Sequence, residues 1–375
     1  MYKIDVAIIG GGVIGLAVAS AVAGEKRDVF IFERHDSFGQ ETSSRNSEVI
    51  HSGIYYPKDS LKAKTCIDGN KLLYRICQAN NIPHNKTGKL IVAENTSKIE
   101  ALEALFKQGM TNGLADIKML KKEEIKALEP NVEACQAIYL PMTGIIDSHA
   151  LMKHFLMKAK SKGADILYKS EVKKVHPANS GYEVVITEAS GEDCTFTAKV
   201  VINCAGLDSD TVAKMVGIED EEYTLSYCKG DYFRIGAGKA KLVKKLVYPV
   251  CRQDDTSLGI HFTPDLAGEA RLGPDAEYLR SREINYTVDP AKRDVFYDDV
   301  KGFLPFLGKE DLSADTSGVR PKLQAPGEGF KDFVIRHEEE RGLTGFINLI
   351  GIESPGLTSA PAIANIVKEM ASKLI

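Results

Sequence analysis

The chain has 375 residues, 43% apolar and 27% charged, with a formal net charge of -4. That length allows one large domain or two intertwined ones with an ample core, and the faintly acidic balance gives no electrostatic case for nucleic acid, which asks for a basic face. The 7 cysteines are odd in number and form no C-x-x-C pair, which argues against a disulfide framework or a metal site and fits a reducing cytoplasm; no apolar run approaches the ~18 residues that span a bilayer.

Residues 4–15 (IDVAIIGGGVIG) read as an apolar strand carried by Val6, Ile8 and Ile9 that breaks into Gly10-x-Gly12-x-x-Gly15 and continues as a helix to about residue 23. Gly10 permits the tight turn, Gly12 lets the backbone approach a pyrophosphate, and Gly15 lets the helix pack against the strand. Such a helix aims its first amides, in the turn holding Val13 and Ile14, and its positive dipole end at an anion. A glycine triplet alone also suits a ligand-free turn. A second strand at 28–32 adds the discriminating feature: it ends in Glu33, followed by Arg34, about twenty residues past the glycines, where an acid binds the adenosine ribose hydroxyls. Glycines and acid together predict dinucleotide binding. A strand this close to the first residue leaves no room for a cleavable signal peptide.

After a polar loop over 39–47, residues 61–80 read as a helix with Leu72, Leu73 and Ile76 on one face. Residues 88–93 read as a strand, and 98–108 and 121–128 as short helices, the latter stopped by Pro130. Ser148 is the expected cap of a helix presenting Leu151, Met152, Phe155, Leu156 and Ala159, ended by Gly163. A strand at 165–168, a hairpin over 172–175 and 182–187, and a buried strand at 199–204 that breaks at Ala205-Gly206 follow. Residues 220–320 read as several short strands with turns, 345–351 as an apolar strand, and 359–375 as a closing helix with Pro361 in its first turn. Nucleotide-domain signals therefore recur at separated places. The economical architecture is α/β: a Rossmann-like domain from the discontinuous segments 1–83, 145–218 and 321–375, with an α+β substrate domain on an antiparallel sheet from 84–144 and 219–320.

Further segments carry more specific patterns: NSEVIHSGIYY at 46–56, SLKAK at 60–64, GKLIVA at 88–93, GIHFT at 259–263 and GVR at 318–320. On these the chain resembles the FAD-dependent oxidoreductases of the D-amino-acid oxidase/glycine oxidase superfamily over nearly its whole length, and within it the L-2-hydroxyglutarate dehydrogenases (oxidases). It departs from the latter at Glu48, where they carry glycine, and in the closing segment 353–358, which looks like a general oxidase ending.

The resemblance implies FAD as cofactor. It implies that Thr42, Ser43, Ser44, Asn46 and Ser47 wrap the pyrophosphate and ribityl chain, that Val172 meets the adenine, and that Cys204, Ala205 and Gly206 pass beside the flavin. Gly351, Pro355, Gly356, Leu357 and Thr358 would bring the last helix start against the flavin pyrimidine ring, where a helix N-terminus favours the negative charge of reduction. Arg320 would hold the substrate carboxylate through its planar fork. His51 and His261 are the candidates for the base that takes the hydroxyl proton, with His261 favoured and His51 orienting. Tyr55 would hydrogen-bond the substrate, and Lys229 would add a second cation suited to a dicarboxylate. Each of these has an ordinary alternative in a core or surface role, and the remaining histidines are read as structural. The expected reaction oxidises a small L-2-hydroxy acid, foremost L-2-hydroxyglutarate, to the 2-oxo acid, with oxygen or a quinone as the electron acceptor. Amine or glycerol-3-phosphate oxidation on the same scaffold, an NAD-dependent dehydrogenase and a flavin-binding protein without redox catalysis are the competitors. The expected location is cytoplasmic, with peripheral contact at the inner face of the membrane left open.

Overall fold

The computed structural model describes residues 2–250 and 259–375. The strand Tyr2–Ile9 lies parallel between Val29–Phe32 and Asp193–Asn203. Asp165–Leu167 extends the sheet beyond Val29–Phe32, and Phe346–Ile350 pairs with the last residues of Asp193–Asn203, again in parallel. Residues 6–9, 29–32, 200–202 and 346–350 of these strands are almost continuously apolar because both sheet faces are covered there. The helices Val13–Val22, Leu61–Asn80, Ser148–Lys160 and Gly356–Ala371 form the cover on one face, around a core that includes Leu16, Leu73, Phe155 and Ile363. The hairpin Glu171–Ala178 and Gly181–Thr187, together with the helix Ser209–Met215, encloses a second core on the other.

A second large sheet carries, in order, Glu277–Tyr278, Ser226–Ile235, Ala270–Leu272, Phe262–Pro264, Leu246–Pro249, Lys89–Ala93, Gln136–Leu140 and Lys118–Lys121, with Leu312–Lys322 on the free edge of Ser226–Ile235. It differs from the expected all-antiparallel sheet at one joint, where Leu246–Pro249 and Lys89–Ala93 run parallel. Nor are all its strands short: Ser226–Ile235 and Leu312–Lys322 span 10 and 11 residues. The helix Arg293–Val300 was not expected; it packs Phe296 and Val300 into this sheet's core. A small sheet of Val49–Ile50, Gly144–Ile146 and His84–Asn85 joins the connecting segments.

Local chemistry sets the helix ends. Ser60 accepts from the Ala63 amide and Asn81 takes the left-handed conformation at φ 54°, so Leu61–Asn80 starts and stops as the sequence predicts. Ser148 is not a cap. Asp147 caps that helix, its carboxylate accepting from the Ala150 amide, while the Ser148 hydroxyl bonds Glu48. The last helix begins at Gly356 rather than 359, so Pro361 lies beyond its first turn. No helix among the described residues is long and apolar enough to cross a membrane.

Candidate active site

One continuous cavity runs along the carboxyl ends of the parallel strands, from Glu33, Arg34 and Val172 at one end to His51, His261 and Arg320 at the other. Ligands of open α/β sheets bind in this position. At the first end the glycine turn behaves as its spacing dictates. Gly10 has φ +104°, and a Cβ there would stand 2.5 Å from the Cys204 carbonyl oxygen. Gly15 does not line the cavity; a Cβ on it would fall 2.0 Å from the Gly10 carbonyl oxygen, so its task is helix-on-strand packing. The Glu33 carboxylate accepts from the amides of Gly11 (2.7 Å) and His35 (2.9 Å). Ser43 Oγ accepts from the Val13 amide at 2.9 Å, and a Cβ on Gly12 would come within 2.9 Å of that hydroxyl. Arg34 pairs with Glu41 and Asp208. Val13, Ile14, Thr42, Asn46, Ser47, Cys204, Ala205, Gly206, Pro355, Gly356 and Leu357 complete this part of the lining. The helix at Gly356 has no side-chain cap, which leaves first-turn amides open toward the cavity. A backbone-lined turn, an acid at the ribose position and an uncapped helix start fit FAD.

At the other end, Arg320 is half-buried, with Nε near the Cys228 carbonyl (3.4 Å) and Nη2 donating to the Asp275 carbonyl (2.8 Å). Those bonds fix the guanidinium and leave Nη1 for the cavity. Glu353 also lines it, clamped by buried Lys62 (3.1 Å) and Lys322 (3.0 Å). Burial would raise the Glu353 carboxyl, but Lys62, Lys322 and Arg320 outweigh it and hold it at about 2. His261 Nδ1 lies 2.9 Å from the Gly259 carbonyl, which can only accept, so Nδ1 carries the proton and Nε2 keeps its lone pair. Its ring stacks on Tyr248 at 3.7 Å. Burial, reinforced by Lys89 and Arg320, pushes His261 down to about 3. His51 is pushed down by burial, Lys89 and His261, and both rings are neutral at pH 7. The backbone of His51 is pinned: its amide donates to Thr358 Oγ1 (3.0 Å) and its carbonyl accepts from Asn70 (2.8 Å).

Several expected site residues lie outside the lining. Lys229 is turned away by register: Arg320 pairs with Cys228, so Lys229, opposite Val319, points from the other face of the sheet. There its ammonium donates to the Thr287 carbonyl (2.6 Å) and faces Asp231 (3.3 Å). Tyr55 stands one layer back, its ring 4.7 Å from Lys89 Nζ. Ser44 donates to the Glu41 carbonyl. Gly351, at φ +70°, abuts Leu323, and Thr358 spends its hydroxyl on Val49 and His51.

No motif singles out Arg45, which lines the cavity, donates to the Ser317 carbonyl and stacks 3.9 Å over Tyr286. Tyr232, bonded to Ser47 at 2.8 Å, and Tyr248 also went unnoticed as cavity residues. For Lys89 and Glu353 a signal existed, a charge at the edge of an apolar run.

The chain is 37% identical to the mitochondrial L-2-hydroxyglutarate dehydrogenase of Arabidopsis thaliana, over 96% of this chain and 82% of that protein. It is 30% identical to the L-2-hydroxyglutarate dehydrogenase of Indibacter alkaliphilus, over 98% and 99%. Among solved structures, the dithionite-reduced L-alpha-glycerophosphate oxidase of Mycoplasma pneumoniae with FAD bound superposes with a TM-score of 0.88 at 29% identity, covering 99% of this chain and 95% of that one. The family model for FAD dependent oxidoreductases of the DAO type matches residues 5–370, so the chain belongs to that family.

Proposed function

We propose that the chain oxidises L-2-hydroxyglutarate to 2-oxoglutarate, with the cavity as the active site. The observation that carries this reading is the near full-length likeness to L-2-hydroxyglutarate dehydrogenases, joined to a cavity whose far end holds an arginine and two neutral imidazoles. FAD, when bound, supplies the hydride acceptor. Arg320 Nη1 holds the C1 carboxylate, and the remaining guanidinium bonds keep it from following a mobile substrate. His261 Nε2 takes the hydroxyl proton as C2 gives up its hydride, and His51 orients the hydroxyl. The carboxylates of a bound substrate oppose the positive field that depresses His261 and return part of its basicity. Residues 1–83, 145–218 and 321–375 would serve the cofactor, and 84–144 and 219–320 the substrate.

The test is anaerobic bleaching of the flavin by L- and D-2-hydroxyglutarate, other 2-hydroxy acids, glycine and L-α-glycerophosphate. The L enantiomer of 2-hydroxyglutarate should bleach fastest, and oxygen and a quinone then compete as acceptors in turnover. Faster bleaching by L-α-glycerophosphate would transfer the assignment to the activity that the Mycoplasma structure represents. His261→Ala should lose on the order of 100-fold or more in kcat, as removal of a general base does; near-normal turnover would remove His261 from that role.

A further inference from the structure

Four lysines are buried in the described structure: Lys62, Lys89, Lys229 and Lys322. Lys62 and Lys322 share Glu353, and Lys229 faces Asp231. Lys89 has neither a carboxylate nor a hydrogen-bond acceptor among the described residues. Its ammonium lies 4.0 Å from the centroid of Tyr248 and 4.7 Å from that of Tyr55. The other face of Tyr248 is already taken by the His261 ring at 3.7 Å. The order of the column is therefore His261, Tyr248, Lys89, Tyr55, with Tyr248 and His261 both lining the cavity. Among the described residues this cation meets aromatic faces and the Cys66 thiol but no anion, a burial that is costly unless an anion arrives to complete it.

We propose that Lys89 is a specificity-determining residue that supplies, from behind Tyr248, the second positive charge against a dianionic substrate. The proposal rests on the reading of the cavity given above. A dicarboxylate brings two charges into a low-dielectric pocket, and Arg320 answers one of them. The groups facing Lys89 are Tyr55 and His51 from the segment after Val49–Ile50, Cys66 from the helix Leu61–Asn80, Tyr248 from Leu246–Pro249, and His261. Burial pushes Cys66 and Tyr248 up and His51 and His261 down, out of the neutral range. Lys89 itself is pushed down to about 7 by burial, so it changes charge near neutral pH. Its ammonium is present below pH 7 and lost above it. Dianion binding, which favours the charged form, should therefore take up a proton and weaken as pH rises.

The experiment compares L-2-hydroxyglutarate with L-2-hydroxypentanoate, the monocarboxylate of equal chain length, in wild type, Lys89→Met and Lys89→Arg holoenzymes. In K89M the KM for the dicarboxylate should rise about tenfold, the order expected for one charge pair at intermediate dielectric, while the monocarboxylate stays within about threefold. K89R should restore the preference. Wild-type KM for the dicarboxylate should climb between pH 6.5 and 8.5 and level off at about the tenfold rise seen in K89M, with no such climb for the monocarboxylate or in K89M. Equal losses for both substrates, or no change, would overturn the proposal. Should K89M fail to retain FAD, inhibition of the wild type by glutarate and by butyrate across the same pH range decides: parallel, pH-flat Ki values overturn it. An enzyme bleached by no 2-hydroxy acid would instead refute the proposed function.

Discussion

Replacing Glu353 by glutamine tests the electrostatic construction of the substrate end. The carboxylate is 8% exposed and is the shared partner of Lys62 and Lys322. Glutamine keeps the shape and one acceptor oxygen but leaves two buried ammonium groups without a counter-charge. Breaking such a buried pair costs about 3–5 kcal/mol. The depressed carboxyl gives an independent figure: moving from 4.5 to about 2 on folding is worth on the order of 3 kcal/mol of stability at pH 7. A group with a lowered native pKa contributes fully above its unfolded value and loses that contribution as pH falls toward the native one. The gap between wild type and E353Q should therefore stay flat from pH 8 to about 5 and shrink by roughly 2 kcal/mol by pH 3. Urea unfolding in excess FAD, followed by far-ultraviolet circular dichroism, measures it. Adding Lys62→Met to E353Q should recover part of the loss, because one stranded cation is removed. A cost below about 1 kcal/mol at pH 7, or a gap that does not respond to acid, would refute the reasoning.

Three further outcomes are expected. Arg320→Lys should lower kcat/KM by about 100-fold, mainly through KM, because a point charge replaces a fork already anchored on the Cys228 and Asp275 carbonyls; steady-state kinetics check this. Gly10→Ala should purify largely without flavin, read from the ratio of visible to ultraviolet absorbance, because the new methyl meets the Cys204 carbonyl at 2.5 Å. Glu48→Gly should change stability by no more than about 1 kcal/mol in thermal unfolding, since relief of a left-handed φ of 56° offsets the two bonds to Ser148.

The Glu48 position also explains one departure seen in the sequence. Its backbone needs the left-handed region, where glycine is unstrained, and this chain instead uses the side chain to bond Ser148 at the start of a helix. The glycine turn and the helix 61–80 were legible because their determinants are local: a tight turn, a serine cap and a left-handed stop. The start of the last helix was misplaced because Pro361 suggested a first turn, whereas the chain enters the helix at Gly356. The substrate end resisted reading for a different reason. Lys89 lies in a strand whose five residues are all buried, and Lys229 in one buried at eight of its ten positions. With both faces covered there is no polar alternation to say which face a lysine takes. Only the pairing of Cys228 with Arg320 decides that Lys229 points away, and pairing is a long-range property.

The polar loop shows how the two sheets become one site. The resemblance implies that its hydroxyls and amides wrap the pyrophosphate and ribityl chain, yet several are committed to the second large sheet. Thr42 Oγ1 donates to the Val319 carbonyl, Arg45 donates to the Ser317 carbonyl, and the Ser47 hydroxyl bonds Tyr232. All three partners lie on the strands Ser226–Ile235 and Leu312–Lys322, the second of which carries Arg320. The loop that lines the cavity beside the glycine turn thus also fixes the strand that carries the Arg320 guanidinium. Thr358 makes the matching tie on the other side, bonding the His51 amide from the start of the last helix. Side chains at the two ends of the cavity are therefore positioned by the same short segments. A change in this loop is therefore felt at both ends of the cavity through the carbonyls of Ser317 and Val319.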